Sequence, residues 1–311
     1  TKGMKGQEMT EVGLLSASGA VGFTDGTKAI ADPVVMRRLL SYATMFGKPV
    51  IQHPEEPSLA REGCATEGET ATRLGLPGIP ACAEVMMVER DLQLVRLTGG
   101  RYHAAHVSTG AAIEAIRRAK AEGLKVTCDT APQYFALNEL AIVDYRTFAR
   151  MSPPLRSEAD RQAVVAGLAD GTVDAIASDH NPEDQDSKRL PFAQAIPGAV
   201  GLETLLPISL GLVHDGSMEL LDVLDRLTVR PARILGLEVG TLAVGGWADL
   251  VLFEPDRAVR IEADRFRSKS KNSPFDGKPA QGRVWRTVYR GRTVFDLEAE
   301  EPRTRREPAH A

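Results

Sequence analysis

The sequence predicts an α/β fold in which repeated βα units build a parallel sheet, followed by a small β-rich element. Two observations carry this reading. From residue 18 to about 235, short apolar runs alternate with longer amphipathic ones. After Gly236 the pattern changes to glycine-rich, β-branched segments. The expected division is therefore 1–236 for the βα part, 237–297 for the β-rich element and 298–311 for a charged, apolar-poor tail expected to be mobile.

The strand candidates are 19–24, 49–53, 102–107, 125–129 and 173–179. Helical periodicity is expected over 33–46, 82–97, 111–121, 158–168 and 202–213. Among these, 111–121 places Ile113 and Ile116 on one face and has Arg117, Arg118 and Lys120 in its last turns, where cations suit the helix dipole. Val284–Tyr289, Arg290-Gly291-Arg292 and Thr293–Phe295 read as a β-hairpin.

Bulk properties narrow the function classes. With 311 residues and 43% hydrophobic content, the chain can bury one large domain. The 38 basic residues are scattered and balanced by 42 acidic ones, which argues against nucleic acid as the main partner. No apolar run reaches the roughly 18–20 residues that span a bilayer, and no basic-then-apolar leader is seen, so a cytoplasmic protein without membrane partners is expected. Cys64, Cys82 and Cys128 form no CxxC pair and are odd in number, which fits a reducing compartment.

In a (β/α)8 barrel of the TIM type, catalytic side chains sit where strands run into the following loops. His53, His106 and Asp179 each fall at such a strand end. Imidazole nitrogens suit zinc, and strands fix their direction. His103, three residues before His106, is expected to face the other way and to be structural. Asp179 closes an apolar run, where a carboxylate must be hydrogen-bonded, metal-bound or catalytic; a helix cap or loop aspartate is the bland alternative. Near a divalent metal it could take a proton from water and return it to a leaving nitrogen.

Beyond these positions, an ordered set of motifs resembles the dihydroorotase family of the amidohydrolase superfamily. It comprises Gly22-Phe23-Thr24-Asp25-Gly26, Gln52-His53, Ala105-His106-Val107-Ser108-Thr109, Pro153-Pro154-Leu155-Arg156 and Ser178-Asp179-His180-Asn181-Pro182. Leu190-Pro191-Phe192, the stretch 198–204, Pro231-Ala232-Arg233, Ala248-Asp249-Leu250 and the stretch 270–275 extend it. The resemblance implies a (β/α)8 barrel of the metal-dependent hydrolase kind with its N-terminal strands missing, and a small β-sandwich. It also implies reversible hydrolysis of dihydroorotate to N-carbamoyl-L-aspartate in pyrimidine synthesis, with one or two zinc ions.

Residue by residue, the resemblance makes His53 and His106 metal ligands, Asp179 both a metal ligand and the general base, and Asp25 a metal-bridging aspartate. The family's first-strand His-x-His motif would lie upstream of Thr1. Ser152, Glu183 and Gly198 are expected to line the substrate pocket. Here Ser152 replaces an asparagine, Glu183 a histidine, Gln133-Tyr134 a His-His pair, and Asp25-Gly26 a doubled acid.

Such departures also fit a noncatalytic dihydroorotase-like subunit that supports aspartate transcarbamoylase. The protein partner expected is therefore either a second copy, giving a homo-oligomer, or aspartate transcarbamoylase. A hydantoinase or allantoinase is the third alternative. It commonly uses a carbamylated lysine on the fourth strand, and 22–26 holds none.

Overall fold

The computed structural model describes residues 1–300. Its centre is a five-stranded parallel sheet flanked by helices, the arrangement that alternating apolar and amphipathic segments require. In chain order the strands are β1 (Phe23–Thr24), β2 (Pro49–Gln52), β3 (Ala65–Thr66), β4 (Gly78–Ile79), β5 (Arg101–Ala104), β6 (Val126–Thr130) and β7 (Ala175–Ile176). The central sheet runs β1-β2-β5-β6-β7, and β3 and β4 form a separate parallel pair. Register is set by pairs such as Val50↔Tyr102 and His103↔Thr127.

Helices Pro33–Ala43, Cys82–Thr98, Gly110–Ala121 and Glu158–Ala169 connect these strands. Asp32 starts the first, accepting from the amides of Val34 and Val35 at 2.7 and 3.2 Å, with Pro33 supplying a fixed φ. Gly47, left-handed at φ 63°, follows the 3-10 turn Thr44–Phe46 that extends this helix. In the third, Ile113 and Ile116 are buried as expected, and they join Val50, Tyr102, Leu92 and Leu168 in the main core.

The strands are shorter than their apolar runs suggest, and the reason lies in backbone geometry. β5 stops at Ala104 because His106 turns left-handed at φ 57°. Past β7, the amide of Ala177 still donates to the Thr130 carbonyl at 2.8 Å, and then Asp179 turns left-handed at φ 43°. For a residue with a Cβ this conformation costs about 1–2 kcal/mol, which local hydrogen bonds must offset. The expected helix over 202–213 is two short pieces, Leu205–Ser209 and Gly211–His214, meeting at Leu210. Gly201 explains why the helix starts late. A Cβ there would stand 1.9 Å from the Ser178 carbonyl oxygen, so this stretch is a turn pressed onto the strand end that carries Asp179.

The helix Val229–Leu235 ends at left-handed Gly236. Beyond it lies an antiparallel sheet ordered β10-β9-β8, built from β8 (Leu250–Arg260), β9 (Pro279–Tyr289) and β10 (Arg292–Asp296). The expected hairpin is present, with a two-residue turn at Arg290-Gly291 whose φ values of 48° and 77° match the twist of the flanking strands. The chain between β8 and β9 returns to the parallel-sheet part, where Asn272, Ser273 and Phe275 are buried.

The last helical turn, Leu297–Glu300, occupies the start of the tail expected from 298 onward; 301–311 lie outside the described residues. All three cysteines are free. Among the described residues, no helix is long and apolar enough to cross a membrane.

Candidate active site

At the C-terminal ends of β2, β5 and β7 the chain leaves a cavity of about 210 Å³. Its wall includes His53, His106, Asp179, Ser152, Glu183 and Gly198, six side chains or backbones drawn from segments far apart in sequence. Asp25 is not part of this wall. It is buried just beyond β1, ahead of the left-handed Gly26 at φ 67°.

The two imidazoles are neighbours, with ring centroids 6.1 Å apart and planes tilted by 51°. His106 Nε2 is 3.8 Å from Asp179 Oδ1. Buried Nδ1 of His53 has no hydrogen-bond partner. Burial alone would push the His106 pKa down, but the carboxylates of Asp179, Asp129 and Glu84 outweigh it and raise it to about 9. Asp179 is held by Gln133, whose Nε2 donates to Oδ2 at 2.5 Å.

Ser152 is engaged within the site itself. Its hydroxyl donates to Glu55 Oε2 at 3.0 Å and lies 3.3 Å from His53 Nε2. Glu55 is buried, which by itself would raise its pKa, yet His53, Arg156 and Ser152 together hold it below the usual carboxylate range. One oxygen, Oε1, is left without a partner.

The outer wall depends on Asn272, which the sequence reading placed only within a motif. Its side chain donates to the carbonyls of Gly198 (3.0 Å) and Asn181 (3.2 Å) and accepts from the Glu183 amide (3.3 Å). Gly198 itself sits at φ 132°, and a Cβ would meet the Asn181 side chain at 2.5 Å, so glycine is required. Asn272→Ala in the complete protein is expected to raise KM for the ring substrate by about tenfold, since three hydrogen bonds that shape the wall, one buried and two part-buried, are lost. Steady-state kinetics check this, and an unchanged KM would show that the wall holds without Asn272.

The donor chemistry suits a divalent cation in part. Two imidazoles and a carboxylate border one cavity, and a buried, unpartnered imidazole nitrogen calls for an electrophile. Among the described residues, however, no group of three or more His, Cys, Asp or Glu is close enough to hold an ion.

Comparison with known proteins decides the family. Residues 5–294 match the amidohydrolase family model. This chain belongs to the amidohydrolase family. The amidohydrolase is 46% identical over 295 residues to the dihydroorotase of Geobacter sp. strain M21, covering 95% of this chain and 69% of that protein. It is 45% identical over 292 residues to the dihydroorotase of Anaplasma phagocytophilum, covering 94% of this chain and 65% of that one. These relatives place it with the dihydroorotase-like members, hydrolases of cyclic amide bonds.

In structure it is similar to an L-hydantoinase (dihydropyrimidinase) from Arthrobacter aurescens, with TM-score 0.81 and 26% identity over 92% of this chain and 67% of that one. The (β/α) barrel architecture expected from the sequence is thus the fold this amidohydrolase has. The chain spans about two thirds of the length of these relatives.

Proposed function

We propose that the cavity at residues 53, 106 and 179 is the ring-opening site of a dihydroorotase, cleaving the cyclic amide of dihydroorotate to N-carbamoyl-L-aspartate. The observation that supports this most is the convergence of His53, His106 and Asp179, from three strand ends, on one cavity. Together with the dihydroorotase relatives at 45–46% identity, it favours this substrate over a hydantoin.

The residues that would hold zinc are His53, through its unpartnered Nδ1, and His106, through the Nε2 that faces Asp179. Bound there, the metal would polarise the amide carbonyl and bring the pKa of water toward neutrality. Asp179, whose Oδ1 stands 3.8 Å from His106 Nε2, is the third donor in this reading. Asp25 stays outside the ligand set in this reading.

Asp179 is the proton carrier. It accepts the proton of the attacking water as the C–O bond forms and delivers it to the ring nitrogen as the C–N bond breaks. Gln133 fixes the carboxylate by binding one oxygen, which leaves Oδ1 turned toward His106 and the cavity. Ser152, 3.3 Å from His53 Nε2 and donating to Glu55, braces that imidazole.

Glu183 gives the pocket an unusual charge. Among the described residues, the lining holds Asp179 and Glu183 and neither lysine nor arginine. Burial raises the pKa of Glu183, though Lys188 pulls the other way. An ionised Glu183 repels the carboxylate of dihydroorotate, so Glu183→Gln is expected to lower KM for dihydroorotate several-fold and leave kcat close to the original. Equal KM values in the two proteins would place Glu183 out of reach of the substrate carboxylate.

The test of the function is zinc content together with dihydroorotate hydrolysis, measured on the full-length protein. Turnover with bound zinc supports the reading. A metal-free, inactive protein overturns it in favour of a noncatalytic partner of aspartate transcarbamoylase. We also assign a homo-oligomeric, cytoplasmic protein, which sedimentation and fractionation test.

A further inference from the structure

We propose that Asp129, with His103 behind it, is a positioning pair that aims His106 into the cavity. The proposal rests on the reading of His106 as a metal ligand and deepens it. His103, on β5, and Thr127, on β6, are register partners, so their side chains share one face, with Asp129 two residues further along the same face. His103 Nε2 lies 2.8 Å from Asp129 Oδ2, and its Nδ1 lies 2.8 Å from the Thr127 hydroxyl. Threonine donates to the imidazole, and the imidazole donates to the carboxylate, so each polar atom in the chain is used once.

The other carboxylate oxygen is turned to His106. Asp129 Oδ1 accepts the His106 backbone N–H at 2.7 Å and stands 3.4 Å from His106 Nδ1, an ion-pair distance without hydrogen-bond alignment. The same oxygen therefore supports the left-handed backbone of His106 and faces the inner edge of its ring. A charged acceptor at Nδ1 leaves Nε2 as the outward, metal-facing nitrogen. Asp129 is buried and tied on both oxygens, so it cannot rotate away without breaking the His103 bond. Its pKa, which burial alone would raise, is held far below the usual carboxylate range by the two histidines.

A buried aspartate that only braces a turn would show the same hydrogen bonds, and the experiment separates the two roles. Zinc affinity, kcat, KM for dihydroorotate and melting temperature are measured for the full-length protein and for Asp129→Asn, His103→Gln and His103→Leu. Asp129→Asn is expected to lose about 10- to 100-fold in zinc affinity, the usual cost of removing an outer-shell partner, and to lose kcat with little change in KM. His103→Gln, whose amide can still donate to Asp129, is expected to stay within a few-fold of the original, while His103→Leu follows Asp129→Asn.

A lowered melting temperature with zinc affinity and kcat unchanged in Asp129→Asn and His103→Leu would overturn the proposal and leave a structural brace. If Asp129→Asn does not fold, the His103 pair decides alone. If the unaltered protein binds no zinc, the metal reading has failed on its own account. The crystal structure of the Asp129→Asn or His103→Leu protein then decides: a His106 ring swung out of the cavity supports positioning, and an unmoved ring overturns it.

Discussion

Replacing Asp179 with asparagine in the complete protein is expected to reduce kcat for dihydroorotate hydrolysis by about 10³-fold, within the range that a general acid–base group contributes. The substitution keeps size and hydrogen-bonding reach, so Gln133 can still donate to the side-chain oxygen that replaces Oδ2. What disappears is the only step that moves a proton between water and the leaving nitrogen. KM should change little, because the cavity wall made by Gly198, Asn272 and Ser152 is untouched. Rates measured at saturating substrate decide the point. Retention of more than a tenth of the original kcat would reduce Asp179 to a residue that merely ends a strand.

The second large effect concerns metal retention. His53→Ala and His106→Ala should each lower zinc affinity by more than about 100-fold, beyond the cost of losing an outer-shell partner, because a direct donor is removed. Competition with a chromophoric chelator measures this. The two variants should also differ in their pH response. In the unaltered protein, His106 holds its proton up to a pH of about 9 when no metal is bound. Zinc must displace that proton, so apparent affinity should rise with pH and level off above about 9. His106→Ala should lose most of that rise, since the titrating donor has gone. A flat affinity-versus-pH curve for the unaltered protein would exclude His106 as a ligand.

Much of this site was legible in the sequence because its principal residues end apolar runs, and a parallel sheet turns such endings into one mouth. His53, His106 and Asp179 were recognisable for that reason, as were the helices over 33–46 and 111–121, whose apolar stripes have helical spacing. Strand length was less legible. The runs 102–107 and 173–179 look like continuous strands, yet His106 and Asp179 leave the sheet in left-handed conformations that no hydrophobic pattern signals.

His103, expected on the other side of the strand from His106, does not line the cavity; its ring reaches Asp129, whose other oxygen accepts the His106 backbone N–H, a link that spacing alone does not signal. Asp129 itself carries a signal of the same kind as Asp179, a carboxylate at the end of a strand candidate. Asn272 lies 74 residues from Gly198 and 91 from Asn181, and its hydrogen bonds to them depend on how the chain returns after β8. Gln133 and Glu55 likewise act through tertiary contacts with residues 46 and 97 positions away. Asp25 is named by its motif, and it lies just beyond β1 without lining the cavity.

The most direct measurement is anomalous diffraction at the zinc absorption edge from crystals of the full-length protein grown with zinc. The account predicts a peak in the cavity with His53 and His106 nitrogens at about 2.0–2.1 Å and Asp179 beside it. A zinc-saturated crystal with no peak between those two imidazoles would contradict it.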